Sequence, residues 1–344
     1  MARVLMVVAN GGSGGMQAQM SMQAQLLATR GHEVHIAVGG ERGSTTGPIT
    51  THDLPAFSPR SVAFVRALSA LVRRLQPDVV HAHGLRLAPA LVMAGIGTTK
   101  VLECHGIDPR VTPAAPWKLL RAATRAGVRM AACGTGPATF LATELGEIHL
   151  INNLLPDAPT PRDPRLDVDM AADATVAIWP ARFSEQKGHL RLIELVAALD
   201  DPRLVVLCVG DGPLRDEVEA EVSRRGLSTR IICGDFSPTA GQWLAASDLF
   251  IMPSWWEGQP TVGLEALRAG IPLLSLNLLG DEDVVAPGTG VRASRTTDAV
   301  DILRRWLNDP SSRPNDQHAR DLLLAPHDPD RVARDLASAY GRGL

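Results

Sequence analysis

Ser254-Trp-Trp-Glu257-Gly-Gln-Pro-Thr261-Val-Gly-Leu-Glu265-Ala-Leu-Arg-Ala-Gly270-Ile-Pro272 decides how this chain is read. It follows an apolar segment, Asp248 to Pro253, with the length and composition of a buried strand. Gly258 and Pro260 make a turn, and the spacing from Thr261 to Arg268 predicts a helix ended by Gly270 and Pro272. That order makes an anion site, because the first N–H groups of a helix lack intrahelical acceptors and point at whatever lies in front of them. Two carboxylates bracket the site, Glu257 on the turn and Glu265 inside the helix. A ligand with phosphates on the helix start and hydroxyls on both sides fits this layout. A nucleotide sugar is such a ligand.

The same pattern recurs outward from this stretch. Thr175 to Trp179 reads as a strand that runs into Ala181-Arg182-Phe-Ser-Glu-Gln-Lys187-Gly188 and then a helix to Leu199. Open α/β sheets bind ligands at the carboxyl ends of their strands, so Arg182 and Lys187 would bring two cations to that edge. Leu204 to Val209 closes on Gly210-Asp-Gly-Pro213, and Arg230 to Cys233 precedes Gly234-Asp-Phe236. In the first half, Arg3 to Val8 runs into Asn10-Gly-Gly-Ser-Gly14-Gly15 and a helix from Met16 to Thr29. Glycines there let a phosphate or sugar approach the backbone. His83 and His105 end two further strands, Asp78 to His83 and Lys100 to His105.

Glu257, seven intervening residues, Glu265-Ala266 and Gly270-Ile-Pro272 together resemble the signature of retaining glycosyltransferases of family four, which have the GT-B fold. Arg182 and Lys187 match the family's diphosphate-binding pair, and His105-Gly106 matches the position whose imidazole lies beside the transferred sugar. The likeness covers most of residues 1–275; Met16-Gln17, Asn152-Asn153 and Leu276 to Asp283 depart from the family pattern. It implies an α/β chain of GT-B architecture, with two facing Rossmann-like domains and the active site in the cleft between them. It also implies His105, Arg182, Lys187 and Glu257 as catalytic, and Gly14, Gly15, Gly258, Thr261, Val262 and Glu265 as donor-binding. Phe236 would stack on the base. No metal and no cofactor beyond the nucleotide-diphosphate sugar are expected, and the partners are that donor and an acceptor.

The totals agree with this reading. At 344 residues, 45% apolar and 21% charged, the chain suits two soluble domains. The expected boundaries are 1–155, a polar Pro-rich linker at 156–173, 174–325, and a closing helix in 326–344 that packs back on the first domain. No apolar run approaches the roughly 18–20 residues of a membrane span, and Met1-Ala2-Arg3 leads into a strand rather than a secretory signal, so a cytoplasmic location is expected. Cys104, Cys133, Cys208 and Cys233 lack metal-ligand spacing and read as buried thiols. Residues 1–155 carry +6 and the remainder −9. The basic half is compatible with peripheral contact at an anionic membrane; nucleic acid is not expected as a partner. Residues 40–59 read as a mobile loop, and Arg60 to Gln76 as an amphipathic helix that packs on the sheet with its arginines outward. Asp281-Glu-Asp283 reads as a helix cap rather than a metal site. Two competing readings are a nicotinamide oxidoreductase using Gly11 to Gly15 and Glu41, and a protein that binds sugar nucleotides without turning them over.

Overall fold

The computed structural model describes all residues except 12–13, 41–47, 59–60, 95–96, 109–113, 236–238, 277–278 and 342–344, and it leaves out the side chains of 114–116. The chain divides into two compact units, Met1–Pro156 with Pro326–Leu344, and Asp157–Ala325. In chain order the first unit holds β1 Arg3–Val8, α1 Gly15–Thr29, β2 Glu33–Gly39, β3 Thr50–Leu54, α2 Val62–Leu75, β4 Val79–His83, α3 Ala88–Met93, β5 Thr99–Cys104, α4 Ala114–Arg125, β6 Val128–Ala132, α5 Thr135–Leu145 and β7 His149–Leu150. The second holds β8 Thr175–Pro180, α6 His189–Leu199, β9 Leu204–Val209, α7 Arg215–Arg224, β10 Ile231–Gly234, α8 Ala240–Leu244, β11 Leu249–Met252, α9 Thr261–Arg268, β12 Leu273–Ser275, β13 Gly290–Arg292, α10 Thr296–Asn308 and α11 Gln317–Leu324. The chain then returns to the first unit with α12 Pro329–Tyr340.

Both sheets are parallel, in the orders β3-β2-β1-β4-β5-β6-β7 and β10-β9-β8-β11-β12-β13. The sequence dictates this, since unbroken apolar runs such as Val4–Val8 and Leu204–Val209 are buried at every position and need cover on both faces. In each sheet the strand order reverses once near the middle, between β1 and β4 in the first and between β8 and β11 in the second. Loops leaving the carboxyl ends of such strands part to opposite faces and open a crevice. Gly14-Gly15 follows β1, His83 ends β4, Arg182 and Lys187 follow β8, and Glu257 follows β11.

In the first unit one apolar layer gathers Phe64, Leu68, Leu71 and Val72 of α2 against Leu5, Val80 and Leu102. The stripe on α2 therefore lies inside the core while Arg66, Arg73 and Arg74 face solvent. The opposite layer joins Met20, Ala24 and Leu27 of α1 to Val332, Leu336 and Tyr340 of α12. Each buried Val, Leu, Met or Phe side chain here contributes about 1.5–3 kcal/mol. Asp328 caps α12 by accepting from the N–H groups of Asp330 and Arg331.

Two stretches differ from their sequence reading. Within residues 40–59 the chain forms β3, which pairs in parallel with β2. Its Thr-Thr-His-Asp-Leu sequence is polar because an edge strand is covered on one side only. The Pro-rich run after 156 is fastened to the second unit rather than running free. Arg165 binds Asp248 and donates to the Ala174 carbonyl at 2.6 Å, while the Trp243 indole N–H donates to Asp167 at 2.8 Å. All four cysteines are free thiols.

Candidate active site

In the second unit the loop after β8 is fixed by the turn after β9. Gly210 and Gly212 have φ of +157° and +156°, and a Cβ on either would lie 2.2 or 2.3 Å from the Ala181 or Phe183 carbonyl oxygen, so only glycine lets the strands close. Phe183 N–H donates to Asp211 O at 2.9 Å, and Leu214 N–H to Phe183 O at 3.1 Å. Arg182, between Phe183 and Ala181, whose N–H donates to Val209 O at 3.0 Å, is exposed and has no side-chain partner among the described residues. Lys187 ends a single 3-10 turn, Glu185–Lys187, whose last carbonyl accepts the Trp179 indole N–H at 3.1 Å.

Lys187 Nζ reaches Glu257 Oε1 at 2.7 Å and Oε2 at 2.8 Å, and Ser254 Oγ donates to Oε1 at 2.6 Å. Glu257 is buried, and this cation keeps its charge affordable there. The residue between the lysine and α6, Gly188, has φ +65°, and a Cβ there would sit 2.1 Å from the Pro253 carbonyl oxygen. The loop after β8 thus passes directly under the Ser254–Glu257 turn. Gly280 plays the same part on the other side, where a Cβ would lie 2.2 Å from Glu257 O.

Two residues that sequence reasoning missed tie this turn down. Gln186 accepts from Trp255 N–H at 2.8 Å through its carbonyl and donates Nε2 to Trp256 O at 3.0 Å. Arg191 donates to the carbonyls of Pro253, Ser254 and Leu276 at 2.9, 3.1 and 2.7 Å, with its guanidinium 4.0 Å over the Trp255 ring. An arginine in the first turn of a helix works against the helix dipole. That placement was the available signal that Arg191 serves something other than α6.

α9 begins at Thr261, preceded by Pro260 in an extended conformation. Gly258 is buried under the turn, Thr261 and Val262 form the first turn, and Glu265 lies half-buried on the next. Burial pushes the Glu265 carboxyl above the ordinary range, and the Arg268 charge pulls it partly back. Asp281 is fully buried and is held by Arg292 on both carboxylate oxygens and by Ser275 Oγ at 2.6 Å. Asp283 accepts from Gln259 at 3.0 Å. These acids do not converge; among the described residues the one group spaced to hold an ion is His81, His83 and Glu103.

Gly14, Gly15 and His105 belong to the first unit. Gly15 opens α1, and a Cβ there would meet nothing within 4 Å; at Gly14 it would meet only the Gln17 side chain at 3.1 Å. Unlike Gly188 or Gly210, these glycines are not required by the described protein around them. His105 Nε2 lies 2.9 Å from His83 Nδ1, and the fully buried Glu103 sits behind both at 3.6 Å. Strand register explains the grouping, since His83 of β4 is paired with Glu103 of β5 and His81 lies two residues back on the same face. His81 Nε2 is 3.0 Å from Glu103, and its Nδ1 is 2.9 Å from the Tyr340 hydroxyl. Burial, then the neighbouring imidazoles, holds His83 well below the usual histidine range. Burial lowers His105 too, with Glu103 opposing it. Burial would raise the Glu103 carboxyl, but His105, His81 and Gln23 outweigh it and leave it below the ordinary range. Glu41 and Phe236 lie outside the described residues.

The two sheets and their switch-point loops define a GT-B type chain, built of two Rossmann-like α/β domains. Residues 168–320 match the family model Glycosyl transferases group 1, and residues 13–153 match Glycosyltransferase Family 4. Both matches make this chain similar to the group 1 glycosyltransferases, and its two parallel-sheet domains have the GT-B type of fold. It is 31% identical over 264 residues to the 2-deoxystreptamine glucosyltransferase of Streptomyces kanamyceticus, covering 68% of this chain and 62% of that protein. It is 26% identical to the putative glycosyltransferase EpsF of Bacillus subtilis, covering 62% of this chain and 61% of that one. The chain thus spans about three fifths of the length of these curated relatives. Among solved structures, Anabaena HepE in complex with UDP and glucose superposes with a TM-score of 0.83 at 18% identity, over 98% of this chain and 99% of that one.

Proposed function

We propose that this chain moves a sugar from a nucleotide-diphosphate sugar to an acceptor hydroxyl, with retention of anomeric configuration and with no metal or organic cofactor. The Lys187–Glu257 pair just before the start of α9 carries the reading, because it sets a cation, a carboxylate and the first N–H groups of a helix within one short loop system. Arg182 and Lys187, with the amides of Thr261 and Val262, receive the diphosphate; Pro260 has no N–H to give. As the bond from the sugar carbon to phosphate breaks, negative charge grows on the leaving diphosphate, where each such donor is worth on the order of 10²–10³ in rate. The acceptor oxygen bonds to the same carbon from the same face, and its proton passes to the departing phosphate oxygen. Glu257 orients the sugar hydroxyls and Gly258 leaves them room, while Glu265 accepts from the ribose. From the first unit, Gly14 and Gly15 offer backbone to the donor and His105 contacts the transferred sugar.

The related 2-deoxystreptamine glucosyltransferase makes an aminocyclitol the first acceptor to try, and the UDP bound in HepE makes uridine diphosphate the first nucleotide to try. The proposed location is cytoplasmic, with the basic first 155 residues available to an anionic membrane surface. No helix among the described residues is long and apolar enough to cross a membrane. A thermal-shift panel of nucleoside diphosphates and their sugars, followed by proton NMR of the product's anomeric coupling, tests the reading. Stabilisation by one nucleoside diphosphate and a product of unchanged configuration are expected. An inverted product would refute retention, and nicotinamide dinucleotide binding with no response to any nucleoside diphosphate would refute the whole.

A further inference from the structure

We infer that Glu103 is a positioning residue that, together with His81 and His83, holds His105 in the tautomer with its hydrogen on Nδ1. The inference rests on the reading above that His105 contacts the sugar. Glu103, His81 and His83 are fully buried, and His105 is 10% exposed with its Nε2 turned inward. The Glu103 carboxylate, ionised in this setting, can only accept. His81 Nε2 lies 3.0 Å from it, too bent for a full hydrogen bond but close enough for the carboxylate to favour a hydrogen on that nitrogen, and His81 Nδ1 then accepts from the Tyr340 hydroxyl at 2.9 Å. Gln23 Nε2 faces the same carboxylate at 3.3 Å.

One proton lies between His83 Nδ1 and His105 Nε2, 2.9 Å apart. If His105 supplied it, neutral His83 would carry its own hydrogen on Nε2, a buried atom with no hydrogen-bond partner among the described residues. Orphaned buried N–H groups are rarer than orphaned acceptors. His83 Nδ1 is therefore the donor, Glu103 at 3.6 Å from both nitrogens favours a proton in that gap, and His105 is left with its hydrogen on Nδ1. A glutamine at 103 could donate instead of accept, which would reverse His81 and remove the charge behind the pair.

Nitrogen-15 NMR of the histidine rings, with His105 assigned through a His105→Gln spectrum, tests this on the unaltered protein. Protonated Nδ1 and unprotonated Nε2 are expected for His105; protonated Nε2 would overturn the inference, as would stoichiometric zinc bound at these residues. In Glu103→Gln the His105 signals should become mixed or reversed. Its kcat should fall about 10²-fold, with the donor KM within about threefold and partial recovery in Glu103→Asp. If Glu103→Gln turned over normally, Glu103 would not position His105 for transfer. A failure of the donor reading would show instead as absent nucleotide binding with the His105 tautomer as stated.

Discussion

Lys187 and Glu257, seventy positions apart, form a two-pronged ion pair with oxygens 2.7 and 2.8 Å from one ammonium. The lysine proposed to meet the diphosphate is thus also the partner of the carboxylate proposed to meet the sugar, and it offsets that carboxylate's charge. Donor and sugar sites are then coupled through one contact, which gives single and double variants different signatures.

Lys187→Ala leaves a buried carboxylate with Ser254 as its remaining side-chain partner among the described residues. Breaking a fully buried pair costs about 3–5 kcal/mol; Lys187 is a quarter exposed, so a loss of about 1–3 kcal/mol is expected in urea unfolding. Turnover should fall about 10²–10³-fold. Adding Glu257→Gln should restore part of the stability and none of the activity. Stabilities that simply add would show that the two groups are not coupled.

Glycines that the fold requires should separate from glycines a ligand requires. Gly188→Ala, at φ +65° and against Pro253 O, is expected to cost about 1–3 kcal/mol. Gly15→Ala, on a helix start with open space, should unfold within about 1 kcal/mol of the parent while weakening donor binding. Thermal melts paired with nucleotide titrations distinguish the two; equal destabilisation would remove the case for a ligand surface at Gly15.

Glu265 supplies a pH dependence. Its carboxyl is held above the ordinary range by burial, so the folded protein takes up this proton at higher pH than the unfolded chain does. Its ionised form therefore costs stability once pH rises through the unfolded value toward the folded one, and only that form fully accepts from ribose hydroxyls. Nucleotide affinity should weaken as pH falls through the raised value, beginning above the usual glutamate range. Calorimetry across that range on the parent and Glu265→Gln should show the dependence only in the parent.

Much of this was legible in one sequence because it is local. The turn from β11 into α9, the loop after β8 and the apolar runs are each written in consecutive residues. What stayed hidden is set by pairing across strands or loops. β3 is too polar to announce itself, Arg191 spends its donors on carbonyls far along the chain, and Asp281 becomes structural only when Arg292 comes beside it. Glu103 and His81 join His83 and His105 through the β4–β5 register, which spacing alone does not fix.

The central claim is that the second unit grips a diphosphate through the loop after β8 and the start of α9. Arg182 tests it most directly, because it is exposed and unpartnered among the described residues, so replacing it should leave the fold intact. Isothermal titration of UDP, or of whichever nucleoside diphosphate the thermal-shift panel selects, should show Arg182→Ala binding about 10–10²-fold more weakly than the parent. Equal affinity in the two proteins would contradict the account.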